Sequence, residues 1–598
     1  MVLANIGVLL AVIGVDASRG GYPARSQRGC GKVVLVSQID LIKSGYAFEG
    51  ETAVLGVALD DAPVLDAPIR IPIAMFNRHG LVAGATGTGK TKTLQVMAEA
   101  LSTAGVPVFA ADIKGDLSGM ASPGEASEKL LARTAAQGQD WQPTGFPTEF
   151  YALGGEGIGI PLRATVASFG PILLSKVLGL NQVQESSLGL VFHYSDKAGL
   201  PLLDLKDLIE LLKFLTSDEG KAELKGIGGV STATAGVILR ALVTLADQGG
   251  DAFFGEPEFD SSELLRTASD GRGVVSLLEL PQLASRPALF STFLMWLLAD
   301  MFESLPEVGD IEKPKLVFFF DEAHLLFNDA SKAFLSAITQ TVRLIRSKGV
   351  GVFFVTQTPK DVPDDVLAQL GSRVQHQLRA HTPNDAKALR ATVATYPNSG
   401  YDLEQVLQQL GTGEAIVTVM SEKGAPTPVA RTRIWAPTSL MAPTPEETMR
   451  AAVAASPLSA RYGTPIDRES AYEILSAKLN EGAARAEAER LEKERAAAEA
   501  AAEKERVASQ KAEAAAEKER QRIEREADAE LARLDREAAR ARAQAEKEAK
   551  AAEAARRKWE KENPTLMEQV TKSSVFKDLV RTAGREIIRG LFGTGKRR

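Results

Sequence analysis

Along residues 77–437, short unbroken apolar runs alternate with longer stretches whose apolar positions recur every three to four residues. "GLVAG" from Gly80 is such a run, and "KTKTLQVMAEALSTAG" after it places Leu94, Met97, Ala98 and Leu101 on one helical face. Gly105 follows as a stop signal. Further runs are "VPVFAAD", "GVVSLLEL", "KLVFFF", "GVGVFFVTQTP", "SRVQHQL" and "GEAIVTVM", with helical stretches such as "KAFLSAITQTVRLIRSKG" between them. Strands that are apolar on both faces and alternate with helices predict an α/β fold with a parallel central sheet, helices covering both sides.

Around this core the patterning divides the chain. Residues 1–31 begin with an apolar run, "MVLANIGVLLAVIGV", shorter than the roughly 18–20 residues that span a bilayer, and it lacks a basic leader. Residues 32–76 ("KVVLVSQIDLI", "TAVLGVAL") alternate like short strands and predict a small β-rich module. Residues of about 121–272 form a long insertion whose pattern is helical, and 438–476 contain Pro and Ser and read as a linker. Residues 477–560 are nearly all Ala, Glu, Lys, Arg and Gln. There "EKER" recurs at Glu492, Glu503 and Glu517, while the larger apolar residues (Leu479, Leu491, Val507, Ile523, Leu531, Leu534) make no heptad seam. That composition predicts a long, charged, solvated helix in preference to a coiled coil. The final segment, 561–598, regains an apolar stripe at Val575, Leu579, Ile587 and Leu591 and ends in Lys596, Arg597 and Arg598.

Composition changes little. The 598 residues are 44% hydrophobic and 25% charged with a net charge of -7, so no overall basic excess announces nucleic acid. A lone cysteine, Cys30, excludes an intrachain disulfide and fits a reducing, cytoplasmic setting. The run "FSTFLMWLLADMF" is interrupted by Asp300 and reads as a core helix, so no membrane span is expected.

The chemistry sits at the strand ends. Gly84, Ala85, Thr86, Gly87, Thr88, Gly89, Lys90 and Thr91 spell G-x-x-x-x-G-K-[ST] between an apolar strand and a helix start. Glycines let backbone N–H groups curl around an anion, and the helix N-terminus adds free donors. Lys90 would reach the β/γ-phosphates and the Thr91 hydroxyl would hold Mg²⁺. The five apolar residues Leu316–Phe320 end in Asp321 and Glu322, a candidate metal carboxylate and a candidate base for the attacking water. The next residues complete the letters D-E-A-H, but a histidine at a helix start, His324, carries no expected catalytic role. Thr356 and Gln357 close a further strand where a polar group can sense the γ-phosphate. "DLSG" from Asp116 imitates a GTPase element, but no N-K-x-D follows, and the nucleotide expected is ATP. The "GTGK" near the C-terminus has neither a preceding strand nor a following Ser/Thr.

Together, "NRHGLVAGATGTGKTKTLQVMAEALSTAGVPVFAADIKGDLSG", "DEAHLLF", "TQTPKDVPDDVLAQLGSRVQHQLRAHTPND" and "AGREIIRGLFG" resemble the bacterial HerA-like ATPases of the HerA/FtsK superfamily, over most of Asn77 to about Pro437 and the tail end. The resemblance implies a RecA-like ATPase core of the additional-strand class, a homo-oligomeric ring that is often hexameric, and translocation on DNA. It implies Walker A roles for Lys90 and Thr91, Walker B roles for Asp321 and Glu322, and a sensor role for Gln357. It also implies a trans-acting arginine finger at Arg373, with Arg379 as the second candidate, and docking of the C-terminal stripe on the ring. A different class of function, an ATP-driven switch or scaffold that recruits a protein partner through the helical tail, fits the same residues.

Overall fold

The computed structural model describes residues 37–155, 157–224, 228–280, 287–327, 332–509 and 516–562. The chain divides into two units, one up to Glu481 and one from Gly482. The expectations for residues 1–31 and 563–598 lie outside the described residues.

The first unit is organised by a 12-stranded sheet in the order β2-β1-β12-β11-β10-β3-β9-β8-β4-β7-β5-β6. Its strands are β1 (Thr52–Asp60), β2 (Ala62–Pro72), β3 (Gly80–Ala83), β4 (Val108–Asp112), β5 (Thr148–Leu153), β6 (Ile160–Leu162), β7 (Val275–Glu279), β8 (Leu316–Phe320), β9 (Val350–Thr356), β10 (Ser372–Gln375), β11 (Glu414–Thr418) and β12 (Ala430–Ile434). From β10 to β6 every pairing is parallel. The fold is therefore the expected α/β P-loop core. One strand, β9, separates the P-loop strand β3 from the acid-bearing β8, which is the additional-strand arrangement.

Burial explains the unbroken apolar runs. Phe318 and Phe320 pack into the cluster on one face of the sheet, and Val317 and Phe319 into the cluster on the other. Helix α2 (Lys90–Thr103) covers the second face with Leu94, Met97, Ala98 and Leu101, all at most 1% exposed. The helix Pro287–Ser304 lies in the first cluster through Phe290, Phe293, Trp296 and Leu297. No helix among the described residues is long and apolar enough to cross a membrane.

Five expectations change. The stretch read as a strand at "SQIDLI" is helix α1 (Gln38–Gly45), because Ser37 caps it by accepting the Asp40 N–H. The module expected at 32–76 is not a separate sheet: the β1–β2 hairpin pairs through β1 with β12 and forms the edge of the central sheet. β11 and β12 are joined by a short connection, which forces them antiparallel and turns this half of the sheet away from the parallel scheme. The insertion holds the helices Val166–Val177, Gln182–Ala198, Leu205–Thr216 and Thr232–Asp247, but it also supplies β5 and β6.

The segment read as a linker at 438–476 is packed. Glu99 accepts the N–H groups of Thr438 and Ser439, both at 2.9 Å. Asp207 accepts the Tyr472 N–H at 2.9 Å and the Ser470 hydroxyl. Met449, Leu458, Tyr462, Ala471 and Leu475 are buried. These anchors are single and unevenly spaced, so no periodicity reveals them.

The second unit holds the remainder of the helix Ala471–Ser509 and the helix Ala516–Glu562. Its described side chains are exposed, Leu531 and Leu534 included. Pairs four residues apart, Lys550–Glu546 and Arg557–Glu553, close at 2.7 Å.

Candidate active site at the strand ends

The C-terminal ends of β3, β9, β8 and β4 are level, with Ala83 opposite Thr356, Phe320 opposite Phe354 and Ala111 opposite Phe320. Whatever follows these residues converges on one edge. After β3 the chain enters a loop fixed by its neighbours: the Gly84 N–H donates to Thr356 O at 3.2 Å and the Ala85 N–H to Gln377 O at 2.8 Å. Gly87 and Gly89 have φ of 82° and 114°, a region that side chains other than glycine adopt at a cost. A Cβ at Gly84 would lie 2.5 Å from the His376 Cβ, so there the glycine is required by packing.

Helix α2 begins at Gly89 with no side-chain cap, which leaves its first amides facing the loop. Lys90 is buried and its Nζ donates to the carbonyls of Gly84 (2.7 Å) and Ala85 (3.3 Å). Burial pulls the Lys90 ammonium below its ordinary pKa, against the opposing pull of Asp321 and Glu322. Thr91, one residue on, is half-buried in the first turn. Thr88 is buried and its hydroxyl donates to Ala85 O, while Thr86 is exposed at the loop tip.

Asp321 and Glu322 follow β8 and both are buried. Burial, then repulsion from Glu322, pushes Asp321 up to about 6. Glu322 has φ of 47°, unusual for a residue with a side chain. Its Oε1 accepts from Lys114 Nζ at 2.7 Å, and its Oε2 lies 3.5 Å from His324 Nδ1 without a hydrogen bond. Burial would raise the Glu322 carboxyl, but Lys114 outweighs it and holds the group below its ordinary value.

Gln357 is exposed immediately after β9, next to the start of the loop. Arg379 reaches the loop as well, its Nη2 3.5 Å from Thr86 O. Arg373 does not. It pairs in register with Leu81 near the start of β3 and β10, away from the loop, where it bonds Thr395 and lies over the Tyr396 ring.

Sequence reasoning missed three contributors. His376 is fully buried under the loop, with Nε2 2.8 Å from Thr93 Oγ1 and Nδ1 2.9 Å from Glu414 O. Lys114 is the ion-pair partner of Glu322, and Asp112 holds the turn before it by accepting the N–H groups of Lys114, Gly115 and Leu117. Glu279 ends β7 opposite Asp112, and burial followed by the Asp112 charge pushes it up to about 8. The signal for His376 was a histidine just after a short strand, one of only five in the chain.

The arrangement suits a nucleoside triphosphate with Mg²⁺. Space is open around Gly87, the α2 amides are uncapped, and a buried cation faces the loop. Two adjacent buried carboxylates, one of them raised by burial and then by the other, form a donor set that a divalent cation would relieve.

The model of the family described as Helicase HerA-like C-terminal matches residues 59–598. The chain is similar to the "Probable helicase MJECL08" of Methanocaldococcus jannaschii, 36% identical over 119 residues, which are 19% of this chain and 21% of that protein. It is also similar to the "DNA double-strand break repair helicase HerA" of Saccharolobus solfataricus, 24% identical over 385 residues, 63% of this chain and 67% of that one. The chain thus spans about a fifth of the first relative's length. Among solved structures it is similar to the bacterial conjugative coupling protein TrwBdeltaN70, at 15% identity over 67% of this chain and 93% of that one, with a TM-score of 0.45. A second likeness is to VirB4 of Thermoanaerobacter pseudethanolicus, at 14% identity over 64% and 97% of the two chains and a TM-score of 0.42.

Proposed function

The chain belongs to the Helicase HerA-like C-terminal family, and from that premise we propose that it hydrolyses ATP with Mg²⁺ at the β3–α2 loop, as the motor subunit of a cytoplasmic homo-oligomeric, often hexameric, ring that moves on DNA. The observation that carries the reading is the convergence of Lys90, Asp321 and Glu322 on the level ends of β3 and β8.

In this reading Lys90 exchanges the Gly84 and Ala85 carbonyls for β/γ-phosphate oxygens, and the amides from Gly87 to Thr91 line the phosphates. Thr91 and Asp321 would hold the Mg²⁺, which when bound draws charge from the phosphate oxygens. Glu322, kept ionised by Lys114, orients the water for attack in line with the leaving oxygen. Gln357 and Arg379 face the γ-phosphate side of the loop. Arg373 is too far along β10 to serve its own loop and would act only on the nucleotide of a neighbouring copy.

A relative bears the name of a DNA double-strand break repair helicase, which supports DNA as the track. The second reading is an ATP-driven switch or scaffold. It is favoured by the helix Ala516–Glu562, which offers an exposed charged surface to a protein partner. The test is the ATP hydrolysis rate of the full chain with and without duplex DNA across a salt series, with mass measured in solution. A motor gives an oligomer whose rate rises with DNA and whose stimulation fades with salt. A rate indifferent to DNA at every salt concentration favours the switch.

A further inference from the structure

At the opposite edge of the sheet, where β10, β3 and β9 begin, lies a cavity of about 610 Å³. Four arginines line it, from three different segments: Arg78 precedes β3, Arg343 and Arg346 precede β9, and Arg373 sits in β10. No Asp or Glu is in the lining. Arg78 reaches Asp310 at 3.0 Å, a side chain 80% exposed. Arg343, Arg346 and Arg373 have no ion-pair partner among the described residues, and Arg343 and Arg346 are exposed.

The floor adds a donor. His79 is 2% exposed, with Nδ1 accepting the Val352 N–H at 3.0 Å. The proton therefore sits on Nε2, which is buried with the Val342 backbone as a neighbour and makes no hydrogen bond of good geometry. Burial pulls this histidine down to about 4, so it is a neutral donor at physiological pH. Arg78 Nε is likewise buried and unpartnered. Gly371 closes the wall: a Cβ there would come within 3.1 Å of Arg78 O and of Met420 Cε.

Three of the four cations have no counter-charge among the described residues, and cations gathered in this way repel one another and work against the compact state. Guanidinium groups match phosphate oxygens in geometry and in charge. The cations converge on one cavity of ordinary small-ligand size instead of following a groove, which suits a compact anion better than an extended strand. We propose that this cavity is a second binding site, distinct from the β3–α2 loop, for a compact and multiply charged phosphate ligand of the pyrophosphate or nucleoside diphosphate class.

The test is calorimetric titration of inorganic pyrophosphate into the full chain carrying Lys90→Ala, at fixed ionic strength. Lys90→Ala removes the loop's buried cation in this chain and in any second copy but leaves its amides, so the binding that belongs to the cavity is the part that the arginine substitutions weaken. One site per chain is expected, weakened at least about tenfold by Arg343→Gln with Arg346→Gln, since charge-assisted bonds are lost. Both side chains are exposed and removing them relieves repulsion, so the melting temperature should not fall. Arg373→Gln should weaken binding independently. Equal affinity with and without the arginines overturns the proposal, as does absence of binding in the Lys90→Ala chain. Displacement of pyrophosphate by a more tightly held single-stranded oligonucleotide would also overturn it, in favour of nucleic acid.

Discussion

Lys114 and Glu322 lie 208 residues apart in sequence and form the shortest ion pair at the site. Glu322 also carries a left-handed backbone, a strain of about 1–3 kcal/mol. In a Lys114→Met chain only His324 and Lys90 still oppose the effect of burial, so the Glu322 carboxyl rises and protonates sooner on acidification. The acid limb of the pH–rate profile should then move to higher pH; an unmoved limb would separate Lys114 from the catalytic carboxylate. Glu279 gives a stability prediction. Its folded pKa is raised to about 8 by burial and Asp112, so its contribution to stability is present below the unfolded value of about 4.3 and is lost as pH rises through about 8. Glu279→Gln should flatten the fall in melting temperature between about pH 5 and about pH 8. An unchanged slope would place the titration elsewhere. Lys90, Thr91, Asp321 and Glu322 were legible because each belongs to a local run that ends a strand. Lys114, His376 and Glu279 were not, because their partners come from distant strands and only the sheet order brings them together.

Among the elements, the central strands could be read from their unbroken apolar runs, and α2 from its periodicity. The edges could not, since the β1–β2 hairpin has no local mark of the strand it joins. The segment after Pro437 was misread for a related reason: its hold on the core rests on single anchors. Truncation near Pro465 would remove the Ser470 and Tyr472 contacts to Asp207 and expose the pocket of Leu475. A chain ending after Glu481 should melt with the full-length core, whereas one ending at Pro465 should melt several degrees lower. Leu475→Ala alone should cost about 2–5 kcal/mol in urea unfolding. Equal stability of the two truncations would show that the segment adds nothing.

For the whole molecule, the two units imply different contributions. The sheet unit holds the β3–α2 loop at one end of its strands and the arginine cavity at the other, and the second unit consists of exposed, charged helix. If Arg373 serves a neighbour's nucleotide, an Arg373→Ala chain and a Glu322→Gln chain, each nearly inactive, should regain activity when mixed before assembly. Arg379 touches its own loop, so an Arg379→Ala chain should recover little in the same mixture. Recovery by Arg379→Ala and not by Arg373→Ala would reverse the two roles. The most direct test of the ATPase site itself is the Glu322→Gln full chain, assayed for both ATP binding and ATP turnover. The site predicts binding near that of the unaltered protein, because Lys90, Thr91 and Asp321 remain, with turnover lower by about 10²–10⁴. Turnover at the unaltered rate would contradict it.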